Sequence, residues 1–240
     1  MFQDLNTFLD EHFAYCAGKF GPDGAVETPR LACRDLLTED GFQSAVARLV
    51  DRHSGVDRRA VLSVWSMYYF SHLTIAPAIL WLKFRRAIPL SADALDLYLN
   101  GETGLPETIV VRDPAAQVPA ATAHHAFEAL IFDHAAPLIG QFARAGLSPR
   151  LLWSNLAVYL EWIVRELGSK VDARLAEEGL ALLECERWPD GRANPLRGLL
   201  GRMCEDGGEE FTRRRVCCLR YVLPGVPGCG AICPLPSGRV

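Results

Sequence analysis

The sequence predicts a mainly α-helical protein: a helical body carrying one β-hairpin, with a small cysteine-rich, metal-binding appendage at its C-terminal end. Three observations lead there. Long stretches place apolar residues at helical spacing, the first through Leu5, Phe8, Leu9, Phe13 and Cys16. A single Asn-Gly pair, Asn100-Gly101, stands between two short alternating runs. Four of the eight cysteines, Cys217, Cys218, Cys229 and Cys233, crowd the end of the 240-residue chain. The body is expected over 1–205 and the cysteine segment over 206–240. Half the residues are hydrophobic and 22% are charged, an ordinary balance for a globular core. A net charge of −4 carries no nucleic-acid signature.

Taken in order, Met1 to Phe13 has Asp4, Asp10 and Glu11 and neither the basic nor the apolar part of a secretion signal, which suits a cytoplasmic setting. Gly21 to Pro29 reads as a loop. Leu37 to Val50 reads as a helix with Thr38 as its cap. Ala60 to Leu82 has no formal charge and the length of a membrane span, but Ser63, Ser66, Ser71, His72 and Thr74 load it with polar groups. A buried central helix, bent or interrupted near Pro77, fits better, and peripheral contact with the inner face of a membrane stays compatible. Leu95 to Leu99 and Thr108 to Val111 form the hairpin. Pro114 to Pro119 is a linker. Ala120 to Arg144 is helical with a break expected at Pro137. Ser148-Pro149 opens a helix that stops at Gly168. Val171 to Glu186 is another, Trp188 to Pro195 a break, and Leu196 to Met203 a short helix before the loose Asp206-Gly207-Gly208.

Cys217-Cys218, ten residues, Cys229, three residues and Cys233 bring four thiols together around the turn-forming Leu223 to Gly228. Three readings are open on chemistry alone. Four thiolates hold a [2Fe–2S] cluster; they also hold zinc, although only Cys229 and Cys233 have the spacing of a zinc knuckle; or they are disulfides or idle thiols. Cys16, Cys33, Cys185 and Cys204 lack ligand spacing and read as buried reduced thiols. No Gly-rich phosphate loop and no nucleophile elbow is present, so a built-in flavin or nicotinamide domain is not expected.

The run Arg214 to Pro224, followed by Cys229 and Cys233, resembles the C-terminal signature of the FhuF-type ferric siderophore reductases. The Ser63 to Phe70 block, Pro77, and Leu151 to Asn155 with Tyr159 and Trp162 are similar to that family as well. In the family, Cys-Cys-x10-Cys-x2-Cys ligates a [2Fe–2S] cluster; here the last gap is three residues, Gly230 to Ile232. The resemblance implies that Cys217, Cys218, Cys229 and Cys233 ligate the cluster and pass one electron to the iron of a ferric siderophore, a hydroxamate in the first instance. It implies a separate electron donor, such as a ferredoxin or a flavin reductase. His72, Trp153, Asn155 and Arg165 are the candidates for the siderophore pocket, which needs aromatic walls and hydrogen-bond donors. Each also has an ordinary reading as core or solvated surface. Arg213, Arg214 and Arg215 stand beside the first cysteine pair, where they would tune a cluster or dock an acidic donor. A zinc-stapled helical module and a siderophore-handling iron–sulfur sensor without turnover are the alternatives.

Overall fold

The structure is a computed structural model that describes residues 1–23, 30–204 and 210–235. It is mainly α-helical, as expected. Helix α1 (Phe2–His12) is followed by a 3₁₀ turn, Ala14–Cys16, and the short strands β1 (Phe20–Pro22) and β2 (Arg30–Ala32). Helix α2 (Glu39–Arg52) starts at Thr38, whose hydroxyl accepts the Gly41 N–H at 3.1 Å. Helix α3 (Arg58–Phe84) is the centre of the molecule and buries twenty of its residues, including Trp65, Tyr69, Phe70 and Trp81. It runs unbroken through Pro77. The proline forgoes one backbone bond, but core surrounds this stretch from Leu73 to Leu82, and tertiary packing outweighs the loss. Among the described residues no helix is long and apolar enough to cross a membrane.

Strands β4 (Leu95–Leu99) and β5 (Pro106–Val111) form the expected antiparallel hairpin. Its loop is wider than a two-residue turn. The Asn100 side-chain oxygen accepts the N–H groups of Glu102 and Thr103, and the left-handed position falls at Gly104. A Cβ at Gly104 would meet the Leu49 backbone at 2.9 Å, so the hairpin tip sits hard against α2. The hairpin is the middle of a four-stranded sheet in the order β1-β5-β4-β2. Strands β1 and β2 had read as loop or gone unread because three residues show no alternation. Strand β3 (Arg86–Ala87) pairs with β6 (Val118–Pro119), inside the expected linker.

Helix α4 (Ala123–Glu128), a π turn over Ala129–Ala135, and α5 (Ala136–Arg144) fill the stretch where a break at Pro137 was expected. The chain widens before the proline instead of stopping at it, and Pro137 becomes the second residue of α5, where its missing N–H matters least. Helix α6 (Pro149–Val171) passes Gly168 and ends at Asp172, which caps α7 (Ala173–Glu184) through the Arg174 N–H. Gly168 is a packing glycine: a Cβ there would stand 2.7 Å from the Ala176 Cβ on α7. The short helix expected over Leu196 to Met203 is replaced by β7 (Leu200–Cys204), paired antiparallel with β8 (Glu210–Arg214). Eight residues are too few to hold a helix alone, and a strand partner lies a few residues on. The Asp206-Gly207-Gly208 stretch lies outside the described residues.

Candidate functional site

The cysteine segment lies back on the body. The 3₁₀ turn Arg220–Val222 packs against α3, Leu223 joins the core, and Cys218 and Cys233 are buried. A polar chain buried between α3, α6 and β8 anchors it. Ser63 Oγ–H donates to the Cys218 carbonyl at 2.6 Å. Asn155 Nδ2 donates to Ser66 Oγ at 2.9 Å and to Ser63 Oγ at 3.2 Å, while its Oδ1 accepts from Arg214 Nη1 at 2.6 Å. Ser63, Ser66 and Asn155 are fully buried, and Arg214 is 1% exposed.

Arg214 is the unusual member. No carboxylate pairs with it among the described residues, and its Nε and Nη2 have no hydrogen-bond partner. The Nε atoms of Arg213 and Arg220 are likewise buried without a partner. A buried guanidinium so placed is strongly disfavoured unless an anion sits beside it. The anion-forming groups next to it are thiols. Cys218 Sγ and Cys229 Sγ lie 3.0 Å apart. Accepting the Cys229 S–H pulls Cys218 down to about 6; burial opposes this, and the charges of Arg214 and Arg220 and the Arg220 N–H reinforce it. The same bond drives the Cys229 thiol upward. Cys217 is half-buried and accepts the Leu219 N–H at 3.4 Å; burial raises its thiol, and Cys218 and Cys233 add to the rise. Leu219 holds a left-handed backbone at φ 61°, which costs about 1 kcal/mol or more in a non-glycine residue.

Of the four expected ligands, then, Cys218 and Cys229 meet. Cys217 and Cys233 are near enough to be felt, but among the described residues no group of three or more His, Cys, Asp or Glu is arranged to hold a metal. The charge environment fits a thiolate-held anionic centre: a close thiol pair beside the guanidiniums of Arg214 and Arg220, each with buried nitrogen that has no partner. The remaining cysteines are all free thiols. Cys16 and Cys33 are buried as expected and Cys185 is half-buried. Cys204 is exposed, a correction that follows from β7 being a surface strand where a helix was expected.

Two cavities adjoin the segment, of about 390 Å³ and about 480 Å³. Both are lined by Tyr15, Ile75 and Tyr159, so they are neighbours, and together they are called the trough. Arg220 lines the first and Ile232 the second, and both belong to the turns that flank the cysteines. His72 lines the first, half-buried, with Nε2 3.2 Å from the Pro106 carbonyl. Burial lowers it to about 4, so it is neutral near pH 7. Arg165 lines the second and is paired with Glu161. Asn155 is committed to the buried network, and Trp153 packs half-buried against the core; neither lines the trough. Arg213 lies over the Phe211 ring, and Arg215 is exposed and donates to the Leu200 carbonyl. Tyr15 and Lys19 had gone unread as site residues, because nothing near them in sequence marks them; Ser63 opened the family-like block without a role of its own. Arg220 had a signal, since it stands in the cysteine signature itself.

Residues 63–207 match the family model described as "Ferric iron reductase FhuF-like transporter". The chain belongs to this family. The FhuF-like match covers α3 through β7 and ends before β8 and the cysteine segment. A curated relative, the ferric siderophore reductase of Escherichia coli (strain K12), is 27% identical over 180 residues, covering 72% of this chain and 65% of the relative. The chain thus spans a little under two thirds of that relative's length. Among solved structures, the aerobactin synthetases IucC and IucA from a hypervirulent pathotype of Klebsiella pneumoniae share the fold. IucC aligns at TM-score 0.55 with 15% identity, over 71% of this chain and 36% of its own. ATP-bound IucA aligns at TM-score 0.58 with 14% identity, over 72% and 37%. The FhuF-like body therefore has the fold of about a third of each synthetase.

Proposed function

We propose that this protein reduces the ferric iron of a siderophore to Fe(II), with a [2Fe–2S] cluster held by Cys217, Cys218, Cys229 and Cys233 as the electron source. The observation that carries the reading is Arg214: a buried guanidinium with two unpartnered nitrogen atoms, beside thiols 3.0 Å apart. Family membership and the activity named for the E. coli relative supply the substrate class. When bound, such a cluster supplies one electron, the number that Fe(III) takes in becoming Fe(II). The chain's own residues do the rest. Ser63 fixes the Cys218 backbone, and Asn155 holds Arg214 with its Nε and Nη2 free for an anion. Arg214 and Arg220 favour added negative charge at the thiols, while exposed Arg215 is available to an acidic donor. The substrate iron is held by hard oxygen atoms; the electron lowers its charge, weakens those bonds and lets the freed oxygens take up protons. The reading places this chemistry in the cytoplasm and leaves the supply of electrons to a separate ferredoxin or flavin reductase.

The test mixes dithionite-reduced, desalted protein anaerobically with a ferric chelate and a ferrous-specific chelator. About one Fe(II) per cluster reoxidised is expected. A centre that stays reduced against both hydroxamate and catecholate chelates overturns the reading.

A further inference from the structure

We infer that the trough shared by the two cavities is the docking site for the chelate, and that it takes a negatively charged, oxygen-donor ferric complex. The inference rests on the reductase reading above. Position comes first. Arg220 is two residues from Cys218, at most about 7–8 Å of backbone, and Ile232 adjoins Cys233. A ligand touching both turns lies against the cysteine segment, as direct electron transfer requires. Tyr159 lines both cavities, and its hydroxyl is within electrostatic reach of Cys218, Arg214 and Arg220.

Charge and hydrogen bonding then select the ligand. The first cavity offers Lys19 and Arg220, with the Arg220 Nε unpartnered, against the single carboxylate of Glu107. In the second, Arg165 pairs with Glu161 and Arg202 with Glu210, and the third carboxylate, Glu166, pairs with Lys170. The uncompensated positive charge is therefore at the first cavity, beside the cysteines. Tyr159, raised to about 12 chiefly by burial, stays protonated as a donor, and the exposed Tyr15 adds a second phenol. Aromatic walls, O–H donors and two cations suit the flat, oxygen-rich, anionic surface of a tris-catecholate or carboxylate-bearing chelate. Tyr15 and Lys19 precede the family-matched span, so part of this site is carried by the N-terminal segment.

Gallium(III) has the charge and nearly the size of ferric iron but takes up no electron, so its chelates separate docking from reduction. Calorimetry of the intact protein with a gallium tris-catecholate and with a neutral gallium trihydroxamate tests the inference. The catecholate should bind, and Arg220→Gln should weaken it roughly tenfold or more, while the hydroxamate loses less than about threefold. Ser71→Trp, which fills the first cavity from the α3 side, should abolish both. If Arg220→Gln alters the visible spectrum or folding, Lys19→Gln, remote in sequence from the cysteines, carries the same expectation. Wild-type binding by the charge variants and by Ser71→Trp overturns the docking site and leaves the reductase reading standing. Equal losses for both chelates overturn the anionic class. A wild-type protein that binds neither gallium chelate overturns the docking site and the reductase reading together.

Discussion

At the scale of single residues, the account turns on polar groups that a core would normally exclude. Asn155 satisfies Arg214, Ser63 and Ser66 at once. Removing it in Asn155→Ala strands a buried cation and takes a donor from two hydroxyls, and unfolding by urea should show a loss of about 2–4 kcal/mol. A loss below about 0.5 kcal/mol would mean that the network contributes nothing. Asn155 was legible as a donor one turn before Tyr159, but its partners lie 59 to 92 residues away, and no local pattern announces them. His134 supports a pH prediction. It is fully buried, its Nε2 meets the Tyr69 hydroxyl at 2.5 Å, its Nδ1 meets the Leu90 carbonyl, and burial lowers it to about 4. An unfolded histidine titrates near about 6.5. Between those values the unfolded chain binds the proton and the folded chain does not. This contribution to stability is complete above about 6.5 and is lost as pH falls toward about 4, at up to about 1.4 kcal/mol per unit. Urea midpoints measured from pH 7 downward should fall, and less steeply in His134→Gln; equal slopes would contradict the assignment.

At the scale of elements, the long apolar periods were the readable part. Helices α2, α3 and α6 and the β4–β5 hairpin sit close to where spacing and caps put them, because each buries a face wide enough to leave a periodic signal. The misplacements share a cause. Gly168 looks like a stop when only the chain is seen, yet it is where α6 and α7 touch. Strands β1, β2 and β7 exist through partners distant or out of period. Gly168→Ala tests the contact. Helix propensity alone would stabilise the variant by roughly 1 kcal/mol; the 2.7 Å approach to Ala176 predicts a loss of about 1–3 kcal/mol instead. Thermal unfolding decides the sign, and a raised midpoint would contradict the packing role of Gly168.

At the scale of the molecule, the family-matched span from 63 to 207 builds the α3–α6 scaffold, and the cysteine segment beyond it lies against that scaffold. The four cysteines were visible as a spacing; the buried Arg214 that gives Cys218 and Cys229 a cationic neighbour was visible only as one of three consecutive arginines. Which of the three turns inward depends on the β7–β8 pairing, where Arg214 faces Leu200, and that pairing had been read as a helix. The trough drew even less from sequence, since its walls come from the N-terminal turn, α3, α6, the hairpin and the cysteine segment. The most direct test of the central claim, a redox centre held at these thiols, is the absorption and EPR spectrum of anaerobically purified protein before and after dithionite. The account predicts a red-brown, EPR-silent protein that gains a one-electron signal on reduction. That signal should survive serine at Cys16, Cys33, Cys185 and Cys204 together and be lost or altered by serine at Cys217, Cys218, Cys229 or Cys233. A colourless protein carrying zinc, or a spectrum indifferent to Cys218→Ser and Cys229→Ser, would contradict it.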